Sequence, residues 1–149
     1  LLSNGIDFVL VGGFAGVVHG STQVTRDLDI LMVLSESQVD KLRKCLSDLH
    51  PRHRMNPGFK PSFIDEPKSL QGVKNLYLET DLGVLDVLTE ITGVGAFERI
   101  RQHAVEITLE GHQCLVISVE DLVKAKEALG RDKDMIVARE LKEILKKNS

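Results

Sequence analysis

The chain has 149 residues, 42% of them hydrophobic, which suits one ordinary globular domain that buries a core unaided. A net charge of −3 gives no sequence-wide attraction to nucleic acid, and one Tyr, five Phe and no Trp argue against a stacking platform for single-stranded RNA. No apolar run is long enough to span a bilayer, so no membrane partner is expected, and two cysteines read as reduced thiols suit a cytoplasmic protein.

The numbering opens without Met in Leu1-Leu2-Ser3-Asn4-Gly5, which reads as a helix end, so an N-terminal helix is expected ahead of it. Phe8 to Val11 and Leu28 to Leu34 are apolar runs of strand length. Between them Gly12-Gly13 leads into a helix-compatible Phe14 to His19, so a strand, a glycine turn and a helix stand in order. His19 reads as a helix-end residue ahead of a C-capping Gly20 rather than as a catalyst. Side chains on a strand alternate between faces, so Asp27 and Asp29 share one face while Leu28 and Ile30 take the other. Two carboxylates that close, beside an apolar strand, raise each other's pKa or demand a cation, and a hard divalent ion with oxygen ligands meets that demand.

Ser35, with Gln38 three residues on, opens a helix to about Leu49 whose apolar stripe is Val39, Leu42, Leu46 and Leu49. His50 to Lys68 contains all four prolines and is a poor candidate for regular structure. Its Arg52, His53, Arg54 and Lys60 make it the most basic segment before the C-terminus, which suits a substrate-facing loop; a solvated polar loop is the alternative. Asn75 to Glu79 and Val84 to Ile91 read as strands joined at Thr80-Asp81-Leu82-Gly83. The second carries Asp86 between Leu85 and Val87, a carboxylate expensive to bury without a partner, whereas Glu90, four along on the same face, reads as exposed.

Ser118 is placed to N-cap a helix to Leu129, with Asp121 three positions later and Gly130 to end it. Leu122, Ala125 and Leu129 fall on one helical face together with Lys126, while Lys124 projects to the opposite side with Glu120 and Glu127. A last helix follows from Asp132 to about Lys147, with Val137, Leu141, Ile144 and Leu145 packing inward. Cys45 and Cys114 lack metal-ligand spacing and read as reduced thiols, and His50, His53, His103 and His112 show no ligand spacing, so zinc is not indicated.

Val11-Gly12-Gly13, a helix-length gap and Asp27-Leu28-Asp29 resemble, in order and spacing, the signature of the DNA polymerase β-like nucleotidyltransferase superfamily. Within it, the chain is similar to the small bacterial proteins that include the abortive-infection type IV toxins. Those typically show Gly-Gly, a His-Gly ending the helix and Thr-x-Asp-x-Asp, matched here by Gly12-Gly13, His19-Gly20 and Thr25-Arg26-Asp27-Leu28-Asp29. Their Asp-(x)4-Lys followed by Gly-Arg-x-Lys-Asp is matched by Asp121, Lys126, Gly130, Arg131, Lys133 and Asp134. One departure stands at Gln23, where the family often has an Arg; Arg26 supplies a charge nearby from a different face. The likeness runs from Phe8 to about Ile91 and, more loosely, through Leu145.

The fold this resemblance implies is α/β (α+β), a nucleotidyltransferase fold with a small mixed β-sheet flanked by helices, in one domain whose C-terminal helices from about 118 to 147 pack on it. The activity it implies is transfer of a nucleoside monophosphate from an NTP to an acceptor hydroxyl, with release of pyrophosphate. Asp27, Asp29 and Asp86 are then the catalytic carboxylates that hold two Mg²⁺ ions, or Mn²⁺, and are expected to converge. Gly12, Gly13, Thr25, Arg26 and Lys126 are the expected nucleotide-binding residues. A tRNA end, a protein hydroxyl and a small molecule such as an aminoglycoside all suit the acceptor role. The toxin-like motifs add a cognate antitoxin as an expected partner, and with no separate helical domain evident to select an acceptor, a partner or a homodimer is expected. The alternative reading is a non-catalytic NTP-binding or regulatory protein on the same fold.

Overall fold

The computed structural model describes residues 5–20, 27–55, 58–109 and 111–148. Strand β1 (Val9–Val11) runs straight into helix α1 (Gly12–Val18), and β2 (Leu28–Leu31) and α2 (Glu36–Leu46) follow. A 3₁₀ turn at Ser47–Leu49 leads to the two-residue β3 (Arg52–His53). The hairpin β4 (Leu76–Thr80) and β5 (Gly83–Leu88) comes next, then a small ribbon of β6 (Glu90–Ile91) and β7 (Gly95–Ala96). Helix α3 (Phe97–His103), the hairpin β8 (Val105–Leu109) and β9 (His112–Val116), and helices α4 (Val119–Leu129) and α5 (Asp132–Asn148) complete the order.

One mixed sheet runs β3-β4-β5-β2-β1-β9-β8. β1 is antiparallel to β2 and parallel to β9, while β2 is parallel to β5. Its register is what positions the site. Val11 lies opposite Asp29, Asp29 opposite Asp86, and Asp86 opposite Tyr77. Residues directly opposite one another point to the same face, so these four form a row across β1, β2, β5 and β4. The alternate residues Ile30, Leu85, Val87, Leu76 and Leu78 are buried on the other face, in a core that includes Val39, Leu42 and Leu46 of α2. The sheet thus hides one face and leaves the other, with its two carboxylates, half-buried.

The capping signals act as the sequence indicates. Ser35 Oγ accepts from Gln38 N, and Ser118 Oγ accepts from Asp121 N at 3.1 Å. Gly130 ends α4 in the left-handed conformation at φ 67°, where a side chain is disfavoured. His19 closes α1 through its backbone, and its ring Nε2 lies 2.7 Å from the Ile117 carbonyl, which ties α1 to the end of β9.

Three expectations need correction. The strand expected to run to Ile91 stops at Leu88, and Glu90 lies exposed in the separate ribbon. Leu129, expected on the inner face of α4, is 51% exposed, because the chain turns away at Gly130. The segment from His50 to Lys68 is largely irregular, as expected, but it contains the short strand β3 and is anchored to the core at Phe63. Phe63 is fully buried, Phe63 N donates to the Pro51 carbonyl, and Arg43 donates to the carbonyls of Phe63 and Pro67 with its guanidinium 5.0 Å over the Phe63 ring. Between residues 92 and 117, where only the stretch around Cys114 reads as strand-like in sequence, the described residues form β7, α3, β8 and β9. Among the described residues, no helix is long and apolar enough to cross a membrane.

Candidate functional site

Asp29 is the centre of the row. Burial comes first among the causes that raise its pKa to about 6, followed by the Asp86 carboxylate and, more weakly, Asp27; Lys126 and Arg54 pull the other way. Asp27 stands exposed one residue ahead of β2. Gly12 closes the row from the β1 side. Its φ is 70°, and a Cβ there would overlap Asp29 Oδ2 and lie 3.0 Å from its Cγ. Glycine therefore fits this position twice over, by backbone conformation and by the closeness of the carboxylate.

Asp86 has a partner the sequence reading did not assign. Arg54, just beyond β3, donates to both its carboxylate oxygens, Nε to Oδ1 at 3.0 Å and Nη2 to Oδ2 at 2.5 Å. The guanidinium also lies 5.5 Å from the centre of the Tyr77 ring, and Arg54 N donates to the Tyr77 carbonyl. The hydrogen bonds to Asp86 are the leading cause that raises the Arg54 pKa. His50, Arg52, His53 and Lys60 are engaged elsewhere. Arg52 and Lys60 both reach Glu79 Oε1 at 2.9 Å, Arg52 and His50 reach Asp81, and His53 Nε2 lies 2.8 Å from the Glu66 carbonyl. The basic segment therefore presents Arg54 to the carboxylates, while Arg52 and Lys60 fasten the sheet edge. Arginines at alternate positions of Arg52-His53-Arg54 were the available signal, but a two-residue strand is too short to show a period.

On the far side stands a second charged group. Lys126 is buried with its Nζ 3.6 Å from Asp134 Oδ1, and Arg131 donates to both oxygens of the same carboxylate at 2.5 and 3.2 Å. Burial pushes Asp134 up, but Arg131 and Lys126 outweigh it and hold the carboxyl below its ordinary value. Lys124 is exposed, so the helical phase of α4 is the one its sequence indicates. The motif residues Lys126, Arg131 and Asp134 thus form one ion-paired cluster whose field reaches Asp29.

The expected convergence of three carboxylates is not met. Among the described residues, no group of three or more His, Cys, Asp or Glu side chains is placed to hold a metal ion. What the sheet register sets side by side is the pair Asp29 and Asp86. An all-oxygen pair still fits Mg²⁺, which is commonly held by one or two carboxylates together with substrate phosphates. The raised pKa of Asp29 is the matching observation, since a carboxylate disfavoured by burial and by like charge is relieved by a cation. Thr25 and Arg26, with Gln23, lie outside the described residues.

A pH dependence follows. Between about pH 4 and pH 6 the folded chain keeps a proton on Asp29 that the unfolded chain has released, so this group makes the fold less stable as pH rises through that window. Thermal melting of Asp29→Asn without added metal should lose this slope and exceed the parent above pH 6. An unchanged slope would place the Asp29 carboxyl in an ordinary solvated setting.

No family model matches the chain, and no curated protein matches it. Among solved structures, it is similar to a provisionally assigned nucleotidyltransferase from Thermotoga maritima at 15% identity and a TM-score of 0.54, covering 99% of this chain and 86% of that one. It is also similar to an antigenic nucleotidyltransferase-like protein from Paracoccidioides brasiliensis at 16% identity and a TM-score of 0.51, covering 95% of this chain and 68% of that one. At such identities the likeness concerns architecture, and in architecture the chain has the nucleotidyltransferase fold.

Proposed function

We propose that the chain is a metal-dependent nucleotidyltransferase that moves a nucleoside monophosphate from an NTP to an acceptor hydroxyl and releases pyrophosphate. The observation that carries this reading is the register pair of Asp29 and Asp86 beside Gly12, at the strand-to-helix turn of a nucleotidyltransferase fold. Asp29 and Asp86, together with the substrate phosphates, would hold Mg²⁺, which would supply activation of the acceptor hydroxyl and neutralise charge on the leaving pyrophosphate; Asp27, one residue ahead of β2, would add negative charge beside them. Backbone N–H groups of Gly12 and Gly13 receive the terminal phosphates; α1 has no acidic residue in its first turn and no side-chain N-cap to compete with them. Lys126 adds a point charge. Asp86 accepts the proton of the attacking hydroxyl as its oxygen bonds to the α-phosphorus and the bond to pyrophosphate breaks. The motif likeness to the abortive-infection toxins supports a role as the toxin of a toxin–antitoxin pair.

One observation favours a second reading, a protein that binds NTP without turnover: both oxygens of Asp86 are engaged by Arg54. Incubation with each labelled NTP, Mg²⁺ and total cell extract separates the two. Transfer requires label in a tRNA, protein or small-molecule fraction, lost with a chelator and with Asp29→Asn or Asp86→Asn. Binding of the NTP with no labelled fraction supports the second reading. In the same series, Lys126→Ala should weaken NTP binding about tenfold or more, equivalent to about 1.4 kcal/mol, while exposed Lys124→Ala changes it little. Equal behaviour of the two variants would remove α4 from the nucleotide site.

A further inference from the structure

The Arg54–Asp86 pair has more to it than neutralisation. β3 is already docked on β4 by its backbone register, by Arg54 N to the Tyr77 carbonyl, and by the Arg52–Glu79 ion pair. The Arg54 side chain is therefore not required to hold that edge. It lies along the open face of the sheet, over the Tyr77 ring, whose hydroxyl accepts from Asn75 Nδ2 at 3.1 Å and is thereby fixed. At its tip the planar guanidinium meets Asp86 in the two-bond geometry that arginine makes equally well with a carboxylate or with a phosphate.

That geometry uses both oxygens of Asp86, and Asp86 stands in register with Asp29. A divalent ion drawn to the two carboxylates needs the same oxygens and brings positive charge against the guanidinium. The two cations exclude each other at Asp86 by occupancy and by repulsion. Nucleotide triphosphate carries the anion that suits the displaced fork.

We infer that Arg54 is an exchange residue of this site: its ion pair with Asp86 is broken when a divalent ion takes the carboxylate, and the freed guanidinium becomes a ligand of the nucleotide's phosphates. The inference rests on the nucleotidyltransferase reading of the carboxylates. Arg54 is on this account a positioning and phosphate-binding residue, and its effect on metal and on nucleotide has opposite sign. A residue that merely stabilised the fold would not produce that split.

The test is calorimetric titration with Mn²⁺ alone, and then with a non-hydrolysable NTP analogue in saturating Mn²⁺. Arg54→Gln should bind Mn²⁺ about tenfold more tightly than the parent and the Mn²⁺-loaded analogue about tenfold more weakly. Arg52→Gln removes the same charge two residues away, where it pairs with Glu79 and Asp81, and should leave both affinities within about twofold. If Arg54→Gln melts early, Arg54→Lys should shift both affinities in the same directions by less, since a lysine keeps the charge but not the fork. Unchanged or weaker Mn²⁺ binding in the Arg54 variants overturns the exchange, as does unchanged analogue binding. Mn²⁺ binding that Asp29→Asn and Asp86→Asn leave intact, or no Mn²⁺ binding with or without analogue, overturns the metal site itself and with it the broader reading.

Discussion

Gly12→Val is expected to be the most damaging single substitution at this site, with a loss of about 2–6 kcal/mol of stability. Two independent effects add. At φ 70° a β-branched residue occupies a backbone region it rarely adopts, which costs about 1–3 kcal/mol. Its Cβ would also overlap Asp29 Oδ2, and forcing an extra group into a filled space costs about 1–3 kcal/mol more. Turning the Asp29 carboxylate relieves only part of this, because the Asp29 Cβ, 3.1 Å away, is fixed by a strand held on one side by Val11 of β1 and on the other by Asp86 of β5. Chemical denaturation measures the sum, and a double variant divides it. Asp29→Ala in the Gly12→Val background should recover the overlap and leave the backbone strain. A loss below about 1 kcal/mol for Gly12→Val would mean that the turn relaxes freely and that Gly12 does not hold Asp29 in place.

What could be read ahead of the structure was local. Ser35, Ser118 and Gly130 announce helix boundaries through side-chain and backbone chemistry confined to a few residues, and the structure uses each of them. The helical phase that separates Lys126 from Lys124 is equally short-range and is observed, as is the placing of Asp29 and Ile30 on opposite faces of β2; Asp27 falls one residue ahead of that strand. The resemblance to nucleotidyltransferases identified the architecture before any coordinate. The elements that escaped are those whose stability comes from distant partners. Helix α3 has seven residues, barely two turns, too few to display a period. β8 is one of the sheet's two outer strands, with Val105 43% exposed, so burial does not imprint a clear alternation on it. The Arg54–Asp86 pair joins residues 32 positions apart across two strand pairings, and nothing in either local sequence specifies that register. The same reasoning explains Asp86. Its need for a partner was legible from the apolar run around it, but the identity of that partner depended on how β3 pairs with β4.

Asp134→Ala is expected to cost about 3 kcal/mol or more, the range for breaking a buried ion pair from one side. The Asp134 side chain is 2% exposed and its partner Lys126 11%, so loss of the carboxylate leaves an ammonium group in a setting that water barely reaches. Arg131, at 56% exposed, can turn to solvent and adds little to the penalty. The damage should therefore be assigned to the stranded lysine and not to the lost contact as such. A double-mutant cycle distinguishes these. Lys126→Met removes the charge while keeping an apolar stem of similar length, so Lys126→Met with Asp134→Ala should be more stable than Asp134→Ala alone, a coupling of about 1 kcal/mol or more. The same cycle bears on nucleotide binding, because Lys126 can serve a phosphate only if its ammonium is held near Asp29, and Asp134 is the group that holds it. A double variant no more stable than Asp134→Ala would show that Lys126 reaches water unaided. Its charge would then be a snorkelling surface charge, and the C-terminal helices would contribute packing to this fold and no cation to its carboxylate row.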